Sequence, residues 1–288
     1  MKRNPFRHVE RLRVRGAEVG LHDTVFGSHH LAYFDAAMAG YWRAMAVPCR
    51  QAVAQLGGEL ILRKATLEFL SAARRDDLLD VGLRCSQAGE SSLVFDAAVF
   101  RGDCALVEAQ LTYVFADPAA QAPPTTQPAP AALRTLLRGF EAGEPMIELR
   151  IGGWSELGAD AQPIRRSVFI EEQGIPADLE WDADDAGCIH AVAYNRLGAA
   201  VATGRLLEHA PGVARIGRMA VLQAVRGAAL GRAILDALVA AARARGDREV
   251  LLHAQTSAAG FYARAGFAPR GAPFDEVGIA HVEMARAL

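Results

Sequence analysis

The chain has 288 residues, which is about two average domains and enough for two separate hydrophobic cores. Hydrophobic residues make up 51% and charged residues 22%, and the 31 basic and 33 acidic side chains leave a formal net charge of −2. This balance is typical of a soluble globular protein. It argues against nucleic acid or a membrane as the principal partner.

The first half of the chain predicts one strand, one helix and four further strands. The first strand is expected near residues 9–19. The helix is predicted from apolar residues at helical spacing: Leu31, Phe34, Met38, Tyr41, Trp42 and Met45. The later strands are expected at 59–75, 78–88, 91–101 and 104–116. One helix lying against an antiparallel sheet is the economical way to bury such an apolar stripe.

A segment rich in proline, alanine, glutamine and threonine, at 117–130, separates the two halves. Its composition cannot bury enough apolar surface to fold alone. Residues 131–143 then read as a helix with its leucines on one face. We therefore predict a first domain over 1–143, which includes this segment and helix, and a second domain over 144–288.

Strands and helices alternate in the second half of the chain. The predicted strands are 146–151, 188–194, 199–207, 214–222 and 249–253, and the predicted helices are 161–173, 230–242 and 257–265. This order indicates a mixed α/β domain. With an antiparallel sheet and one helix in the first half, the whole chain is expected to be α+β.

A loop of small residues, 226–232, connects a predicted strand to a predicted helix. Small residues let a ligand approach the backbone closely, and a helix N-terminus presents free N–H groups and a positive dipole end. Such a turn binds a pyrophosphate through its backbone. The loop therefore predicts a substrate or cofactor that carries phosphate.

This loop and the later sequence Gly-Phe-Tyr-Ala-Arg-Ala-Gly-Phe at 260–267 resemble the GNAT superfamily of acyl-CoA-dependent N-acyltransferases. The resemblance covers about residues 146–288. It implies that acetyl-CoA or another acyl-CoA is a substrate and that Tyr262 protonates the leaving CoA thiolate. It also implies contacts to CoA, from a strand to pantetheine and from the loop to pyrophosphate, at Met219, Ala220, Val221, Arg226, Gly227, Ala228, Ala229, Leu230, Gly231 and Arg232.

Ala229 departs from the family pattern, which usually has glycine at this position. Alanine still offers its backbone N–H, so cofactor binding is expected to survive. The exception would be a loop that needs a positive φ angle there, because a Cβ atom disfavours that conformation.

Acetylation of an amine also needs a base or a water chain that takes a proton from the ammonium group. The second half resembles one GNAT subgroup whose acceptor is not defined. By residue type and position, the candidates for the acceptor site are Glu172, His190, His253, Gln255 and His281. Each of them could equally be a surface group or a satisfied core residue.

In the first half, a carboxylate, a glycine and paired histidines precede the apolar helix. A turn at Asp23 and a helix cap from His29 or His30 would account for them. In the context of the predicted strand order, however, residues 9–140 resemble hotdog-fold acyl-CoA thioesterases of the 4-hydroxybenzoyl-CoA thioesterase-like group. Their pattern D-x-x-G-x-V-x-[HN]-x-x-Y places Asp23, His30 and Tyr33 in register, whereas Gly27 lies one residue late.

That resemblance implies a thioester hydrolase in which Asp23, His30 and Tyr33 form the catalytic set. Asp23 would act as nucleophile or as general base toward water, and His30 would orient the thioester or polarise its carbonyl. N–H groups at the helix start could stabilise the oxyanion. Because subunits of this fold pair edge to edge and share their sites, a homodimer or homotetramer is expected.

Two hypotheses follow from these resemblances. In the first, the chain is a bifunctional cytoplasmic enzyme that hydrolyses acyl-CoA at one site and acetylates an amine at the other, without a metal. In the alternative, the chain is a single-activity acetyltransferase whose hotdog half is a non-catalytic dimerisation or acyl-CoA-sensing module. The cytoplasmic assignment rests on four scattered cysteines, Cys49, Cys85, Cys104 and Cys188, and on the lack of an export signal.

Overall fold

The computed structural model describes residues 5–117 and 126–288, and the chain divides into two compact units, Met1–Met146 and Ile147–Leu288. Most of the proline-rich segment, residues 118–125, lies outside the described residues. Both units mix helices and strands, so the predicted α+β class is confirmed.

The first unit is an antiparallel sheet with helices packed on it. Its described elements are β1 (His8–Arg13), α1 (His29–Ala44), α2 (Cys49–Leu56), β2 (Glu59–Phe69), β3 (Leu78–Ala88), β4 (Leu93–Arg101), β5 (Cys104–Ala116), β6 (Thr126–Gln127) and α3 (Ala131–Glu141). The strand order is β1-β3-β4-β5-β2, and the short β6 pairs with β5. The predicted order of one strand, a helix and four strands is confirmed, with α2 as an additional helix.

Helix α1 buries the apolar stripe that predicted it. Phe34, Ala37 and Tyr41 are at most 1% exposed. Gly40 lets β1 approach the helix, because a Cβ atom there would collide with the side chains of His8 and Glu10. Burial of a side chain the size of phenylalanine stabilises the fold by roughly 1.5–3 kcal/mol, so this stripe holds the helix against the sheet.

Strand β2 forms one edge of this sheet, since its neighbour in the strand order is β5 alone. The strand ends at an exposed apolar pair, Phe69 at 56% exposure and Leu70 at 49%. An unpaired edge beside exposed apolar side chains is a surface that another chain can cover.

The second unit, which is described throughout, is a seven-stranded mixed sheet flanked by helices. Its elements are β7 (Ile147–Gly152), α4 (Trp154–Arg165), a π-helical segment (Arg166–Glu172), α5 (Ala177–Glu180), β8 (Ile189–Asn195), β9 (Ala200–Ala210), β10 (Val213–Val221), α6 (Leu230–Arg245), β11 (Glu249–Gln255), α7 (Ala259–Arg264), β12 (Ala268–Glu276) and β13 (Ile279–Ala287). The strand order is β12-β13-β11-β10-β9-β8-β7, and β10 and β11 form the parallel pair.

The parallel pair separates part-way along its length. Strand β10 pairs with β11 over Val213–Ile216, and the pairing stops there. Its register against β9 shifts between Gly217 and Ala220, where Arg218 has a φ angle of 51°. A bulge of this kind bends a strand and redirects its side chains. The split leaves one edge of β10 free of a strand partner just before the loop that leads into α6.

Candidate active sites

A cavity of 430 Å³ lies in the second unit where β10 and β11 stop pairing. Its volume is in the range of small-molecule sites. Five of the residues predicted from sequence line it: Met219, His253, Gln255, Tyr262 and His281. Five further polar residues that sequence reasoning did not single out line the same cavity: Gln173, Glu180, Arg215, Arg218 and Glu276.

Tyr262 lies on the short helix α7, which follows β11. Its hydroxyl lies 3.8 Å from the sulfur of Met219, on the unpaired part of β10. The ring packs edge-on against Phe261 and Phe267, which fixes its orientation. Burial raises the pKa of Tyr262 to about 12, so its hydroxyl keeps its proton at neutral pH. Tyr262 therefore presents a protonated hydroxyl group to the cavity.

Most backbone amides of the loop at 226–232 have no acceptor in the described part of the chain, the exceptions being Arg226 and Ala228. Among the described residues, no acceptor is found for the amides of Gly227, Ala229, Leu230, Gly231 and Arg232. The last three belong to the first turn of α6, where the helix dipole also favours negative charge. Unpaired amides of this kind are the donors that a pyrophosphate uses. The loop geometry fits the CoA pyrophosphate that the sequence predicts.

The side chain of Arg226 turns away from these amides. Its guanidinium forms two hydrogen bonds to the carboxylate of Glu172, at 2.7 and 2.6 Å, and its Nε donates to the carbonyl of Val221 at 3.0 Å. The hydrogen bonds from Arg226 lower the pKa of Glu172, although partial burial opposes this. Glu172 is therefore held as a carboxylate by Arg226 and does not line the cavity.

His253 lies between a cation and a carboxylate on one wall of the cavity. Its Nδ1 is 3.1 Å from Nη2 of Arg215 and 3.2 Å from Oε2 of Glu276. Its ring also packs against Phe274. Gln255 and His281 are held by other contacts, Gln255 donating to Gln173 and the His281 Nδ1 lying 2.8 Å from the carbonyl of Ile279. The histidine cluster is thus oriented by its own neighbours.

His190 lies elsewhere in the second unit and does not line this cavity. It is 1% exposed, its ring packs on Trp154, and its Nε2 is 2.9 Å from the carbonyl of Asp185. Burial lowers the pKa of His190, so the ring is neutral at pH 7. The structure thus places His190 as a satisfied core residue, the alternative considered for it above.

In the first unit, His30 faces an open cavity of 420 Å³ near the end of β2. The side chain is 3% exposed and lies between the rings of Tyr33 and Phe69. Neither ring nitrogen makes a hydrogen bond of good geometry among the described residues, although the backbone of Gly27 and Phe26 interacts with the ring. Burial lowers the pKa of His30, so the ring is neutral and offers one N–H donor. Buried polar atoms without partners are rare, and a ligand in this cavity would satisfy them.

Asp23 lies in the turn before α1, with a φ angle of 57°. Its Oδ1 accepts a hydrogen bond from Nε of Arg75 at 2.8 Å, and its side chain is 51% exposed. The backbone just after it pairs with the segment at 73–74, which brings the turn to the rim of the cavity at His30. Asp23 itself does not line that cavity.

Tyr33 is buried below His30, and its hydroxyl donates to Oε2 of Glu18 at 2.8 Å. Burial and this hydrogen bond raise the pKa of Tyr33. Burial alone would raise the pKa of Glu18, but the hydrogen bonds from the Arg15 amide and from Tyr33 lower it. Glu18 was not singled out from the sequence, because its partner lies fifteen residues away on another element.

The start of α1 differs from the expected oxyanion site. The amides of His29, His30 and Leu31 already donate to the carbonyls of Phe26, Gly27 and Ser28. No side-chain cap is found at this helix start, so neither histidine caps it. These three amides are therefore engaged, whereas no acceptor is found among the described residues for the amides of Gly27 and Ser28.

Comparison with known proteins assigns both halves. The model of the GNAT acetyltransferase domain matches residues 168–288, and that of the thioesterase superfamily matches residues 22–108. The N-acetyltransferase YjcF of Bacillus subtilis (strain 168), itself described as uncharacterized, is 34% identical over 126 residues, which is 43% of this chain and 89% of that protein. The chain belongs to the GNAT acetyltransferase family. It also carries a thioesterase-superfamily domain in its first half.

Solved structures of both kinds are similar to parts of this GNAT protein. An acyl-CoA N-acyltransferase from Pseudomonas aeruginosa is 31% identical, with a TM-score of 0.45, and the match covers 49% of this chain and 99% of that one. A mutant of 4-hydroxybenzoyl-CoA thioesterase in complex with 4-hydroxybenzoyl-CoA is 20% identical, with a TM-score of 0.41. That match covers 45% of this chain and 96% of the other.

Ala229 of the GNAT loop occupies the left-handed region, with φ 59° and ψ 12°. The sequence predicts that cofactor binding survives an alanine at this position unless the loop needs a positive φ angle, and the loop does have one. A non-glycine residue in this region costs roughly 1–2 kcal/mol. The amide of Ala229 nevertheless stays free for a ligand, so the loop keeps its donors at a cost in conformational energy.

Replacement of Ala229 by glycine is expected to raise the free energy of unfolding by about 1 kcal/mol, because glycine has no Cβ penalty at positive φ. Urea denaturation measures the effect. Ala228 in the same loop has a negative φ, so Ala228→Gly is the matched control and should lower stability. Equal effects of the two substitutions would show that strain at Ala229 is negligible.

A buried ion cluster supports the wall of the GNAT cavity. Arg165, at 1% exposure, donates to Glu180 and Asp185, and Arg205 donates to Asp182 and Asp185. The rings of Trp154 and Trp181 pack on the Arg165 guanidinium. Arg218 at the β10 bulge also contacts Glu180 and Asp182. The cluster therefore ties the segment around α5 to the strands that form the cavity.

The pH dependence of stability tests this cluster. Hydrogen bonds from Arg205 lower the pKa of Asp182 below its ordinary 3.8, so its stabilising contribution is present above that value and is lost as pH falls through the folded-state pKa. Asp182→Asn is expected to lower the unfolding free energy at pH 7 by about 2 kcal/mol and to flatten its fall on acidification. Urea titrations at pH 3 and 7, followed by tryptophan fluorescence, measure this. The nearby exposed Asp184→Asn is the control, and an identical loss at both pH values would contradict the prediction.

Two further properties bear on the candidate sites. In the described ranges, no group of three or more histidine, cysteine, aspartate or glutamate side chains is arranged to hold a metal ion. None of the helices that the structure describes is both long and apolar enough to cross a membrane.

Proposed function

We propose that the protein uses acyl-CoA thioesters at two sites, transferring an acetyl or acyl group to an amine in the GNAT half and hydrolysing a thioester in the other half. One observation carries the transferase assignment. The Tyr262 hydroxyl faces the cavity at the split between β10 and β11, in the same unit as the five free amides of the loop at 226–232.

At the GNAT site, the loop amides would hold the pyrophosphate and the unpaired edge of β10 would bind the pantetheine arm. The amine nitrogen attacks the thioester carbonyl carbon, the C–N bond forms and the C–S bond breaks. The Tyr262 hydroxyl then gives its proton to the departing thiolate, which is favourable because an alkyl thiolate is a strong base. Once the C–N bond has formed, the nitrogen releases its second proton to give the neutral amide, and this proton restores the tyrosine through the solvent.

The acceptor must lose a proton before it attacks, and the groups placed to take it are His253 and Glu276. They lie within hydrogen-bond distance of each other on the cavity wall. Glu172 is less suited to this role because Arg226 occupies both of its oxygens. His190 is excluded from it in this proposal, since the ring is buried away from the cavity.

At the thioesterase site, Asp23 would act as nucleophile or as general base toward water, and His30 would polarise the thioester carbonyl through its N–H. Tyr33 would hold the His30 ring from below through its own bond to Glu18. Water supplies the oxygen, the C–S bond breaks, and the products are a carboxylic acid and CoA. The two ring nitrogens of His30 lie beside an open cavity without hydrogen bonds of good geometry among the described residues, which supports this role.

The alternative function, a single-activity acetyltransferase with a non-catalytic hotdog half, also has an observation in its favour. Asp23 is paired with Arg75 and does not line the cavity at His30. In this reading, the first half binds acyl-CoA or forms the oligomer without hydrolysis. The exposed edge of β2 supports edge-to-edge pairing of two subunits in either case, as a homodimer or homotetramer.

The test uses the purified full chain, a panel of acyl-CoAs from acetyl to long-chain, and a panel of amines. Thiol release without amine reports hydrolysis, and amine-stimulated release with an amide product in the mass spectrum reports transfer. Light scattering of the same sample gives the oligomeric mass. Absence of amine-dependent release would contradict the transferase proposal, and absence of hydrolysis with transfer intact would favour the alternative.

A further inference from the structure

The cavity wall of the GNAT half holds a cation that is not used by the proposed acetyl transfer. Two arginines line the cavity, Arg215 and Arg218. The guanidinium of Arg218 is occupied by Glu180, Asp182 and the carbonyl of Leu179. Among the described residues, the side chain of Arg215 has a polar contact with His253 and no carboxylate within ion-pair distance.

The Nδ1 atom of His253 cannot form hydrogen bonds with Arg215 and Glu276 at once. This nitrogen is the shared atom in the contacts to Arg215 and to Glu276. A neutral Nδ1 accepts one hydrogen bond from the guanidinium, and a protonated Nδ1 donates one to the carboxylate. Whichever contact forms, either Arg215 or Glu276 is left without its hydrogen bond at His253. In each protonation state of His253, therefore, either the guanidinium of Arg215 or the carboxylate of Glu276 has a hydrogen bond left for a ligand.

The two charges lie close together. Both contacts meet at Nδ1 of His253. Nη2 of Arg215 and Oε2 of Glu276 therefore cannot be farther apart than the sum of the two contact distances, 3.1 Å and 3.2 Å. A guanidinium presents a fork of N–H donors that matches a carboxylate, and a glutamate accepts hydrogen bonds from an ammonium group. A ligand that binds both side chains would carry a carboxylate for Arg215 and, a few bonds away, an ammonium group for Glu276.

We infer that the acceptor of the GNAT half is a primary amine that bears a carboxylate, the α-amino acids being the smallest members of the class. Arg215 binds the carboxylate, and Glu276 and His253 receive the ammonium group beside it. Apolar side chains of the same cavity, including Phe169, Ile175 and Leu252, contact the rest of the acceptor. This inference rests on the proposed acetyl transfer for its acceptor, but the carboxylate site can be tested by binding alone.

The experiment compares each amino acid with the amine that lacks its carboxylate, such as leucine with isoamylamine, phenylalanine with phenethylamine and tyrosine with tyramine. Acetyl transfer is measured with acetyl-CoA and the full chain. The best amino acid is expected to have a kcat/KM about 10- to 100-fold above its amine, the range for a hydrogen-bonded ion pair. A wild-type preference for the amines would overturn the inference.

The substitution Arg215→Gln is expected to remove this preference, because it raises the KM for the amino acid about 10-fold or more and the KM for the amine much less. Arg215→Lys keeps the charge without the fork and should retain part of the preference. Arg243→Gln, at an exposed position on α6, is the matched control and should leave kcat/KM unchanged for both the amino acid and the amine. Thermal unfolding of each variant confirms that it folds, and an unchanged preference in Arg215→Gln would refute the inference.

Binding separates this inference from the proposed function. The same amino acids are titrated by calorimetry into wild-type protein saturated with CoA, which has no acetyl group to transfer. Binding that is weakened about 10-fold or more by Arg215→Gln supports the carboxylate site even if no acetyl transfer is found. In that case the proposed function fails and the inferred site stands. Absence of Arg215-dependent binding overturns the site, whatever the transferase activity.

Discussion

Replacement of Tyr262 by phenylalanine is expected to lower kcat for acetyl transfer by about 10²- to 10⁴-fold, the usual contribution of a positioned general acid. The KM for acetyl-CoA should stay within about twofold, because the ring and its packing on Phe261 and Phe267 are retained. Steady-state kinetics with a saturating amine measure both constants. Because burial raises the pKa of Tyr262 to about 12, this acid stays protonated throughout the neutral range.

Tyr194→Phe is the matched control for this substitution. Tyr194 is a buried tyrosine of the same unit whose hydroxyl donates to Asp160, and it does not line the cavity. Its loss should affect stability and leave kcat unchanged within about twofold. If the two variants lower kcat equally, or if Tyr262→Phe leaves it intact, Tyr262 is not the proton donor.

The second large effect is expected at Asp23. Asp23→Asn should lower acyl-CoA hydrolysis by about 10²- to 10⁴-fold while the acetyl transfer of the same protein is unchanged. Asparagine tolerates the positive φ of this turn, so the backbone should be preserved. Thiol release without amine, measured at several acyl-CoA concentrations, gives the effect. The transferase activity serves as an internal measure of folded enzyme.

Asp76 offers a close control for that variant. It is another exposed aspartate with a positive φ, 62°, in the turn that contains Arg75. Asp76→Asn should leave hydrolysis unchanged within about twofold. Unaltered hydrolysis in Asp23→Asn would remove the thioesterase assignment as made above and would favour the non-catalytic interpretation of the hotdog half.

Periodic elements could be predicted from the sequence because their pattern is local. The stripe through Phe34 and Tyr41 fixed the position of α1, and the alternating run at 104–116 fixed that of β5. Helix α2 was missed, although Pro48 precedes it and Gly57 ends it with a φ angle of 72°. At eight residues it is too short for helical periodicity to be visible against its three polar residues, Arg50, Gln51 and Gln55.

The hairpin of β12 and β13 could not be predicted for a different reason. Its two-residue turn is Val277-Gly278, and both residues have positive φ angles, 56° and 74°. A β-branched valine is unfavourable in that conformation, so the sequence carries no ordinary hairpin signal. The turn is set by the pairing of the strands and by the Asp275 carboxylate, which accepts a hydrogen bond from the Gly278 amide.

The candidate sites divide in the same way. The loop at 226–232 and Tyr262 belong to short contiguous motifs, which sequence reasoning can find. Arg215 and Glu276 become neighbours of His253 through strand pairings that join residues 23 to 38 positions apart, and no local pattern encodes that. The orientation of His190 likewise depended on which face of β8 meets Trp154.

The split between β10 and β11 has a thermodynamic consequence. Beyond Ile216, β10 lacks the hydrogen bonds that β11 supplies to its first half, and a ligand with its own amide groups would replace them. In the proposed complex, the binding free energy of CoA would add to the folding free energy of this half. The melting temperature of the protein would therefore rise with the concentration of CoA. In a cell with little free CoA, this half of the protein would then have a lower melting temperature than in a cell with abundant CoA.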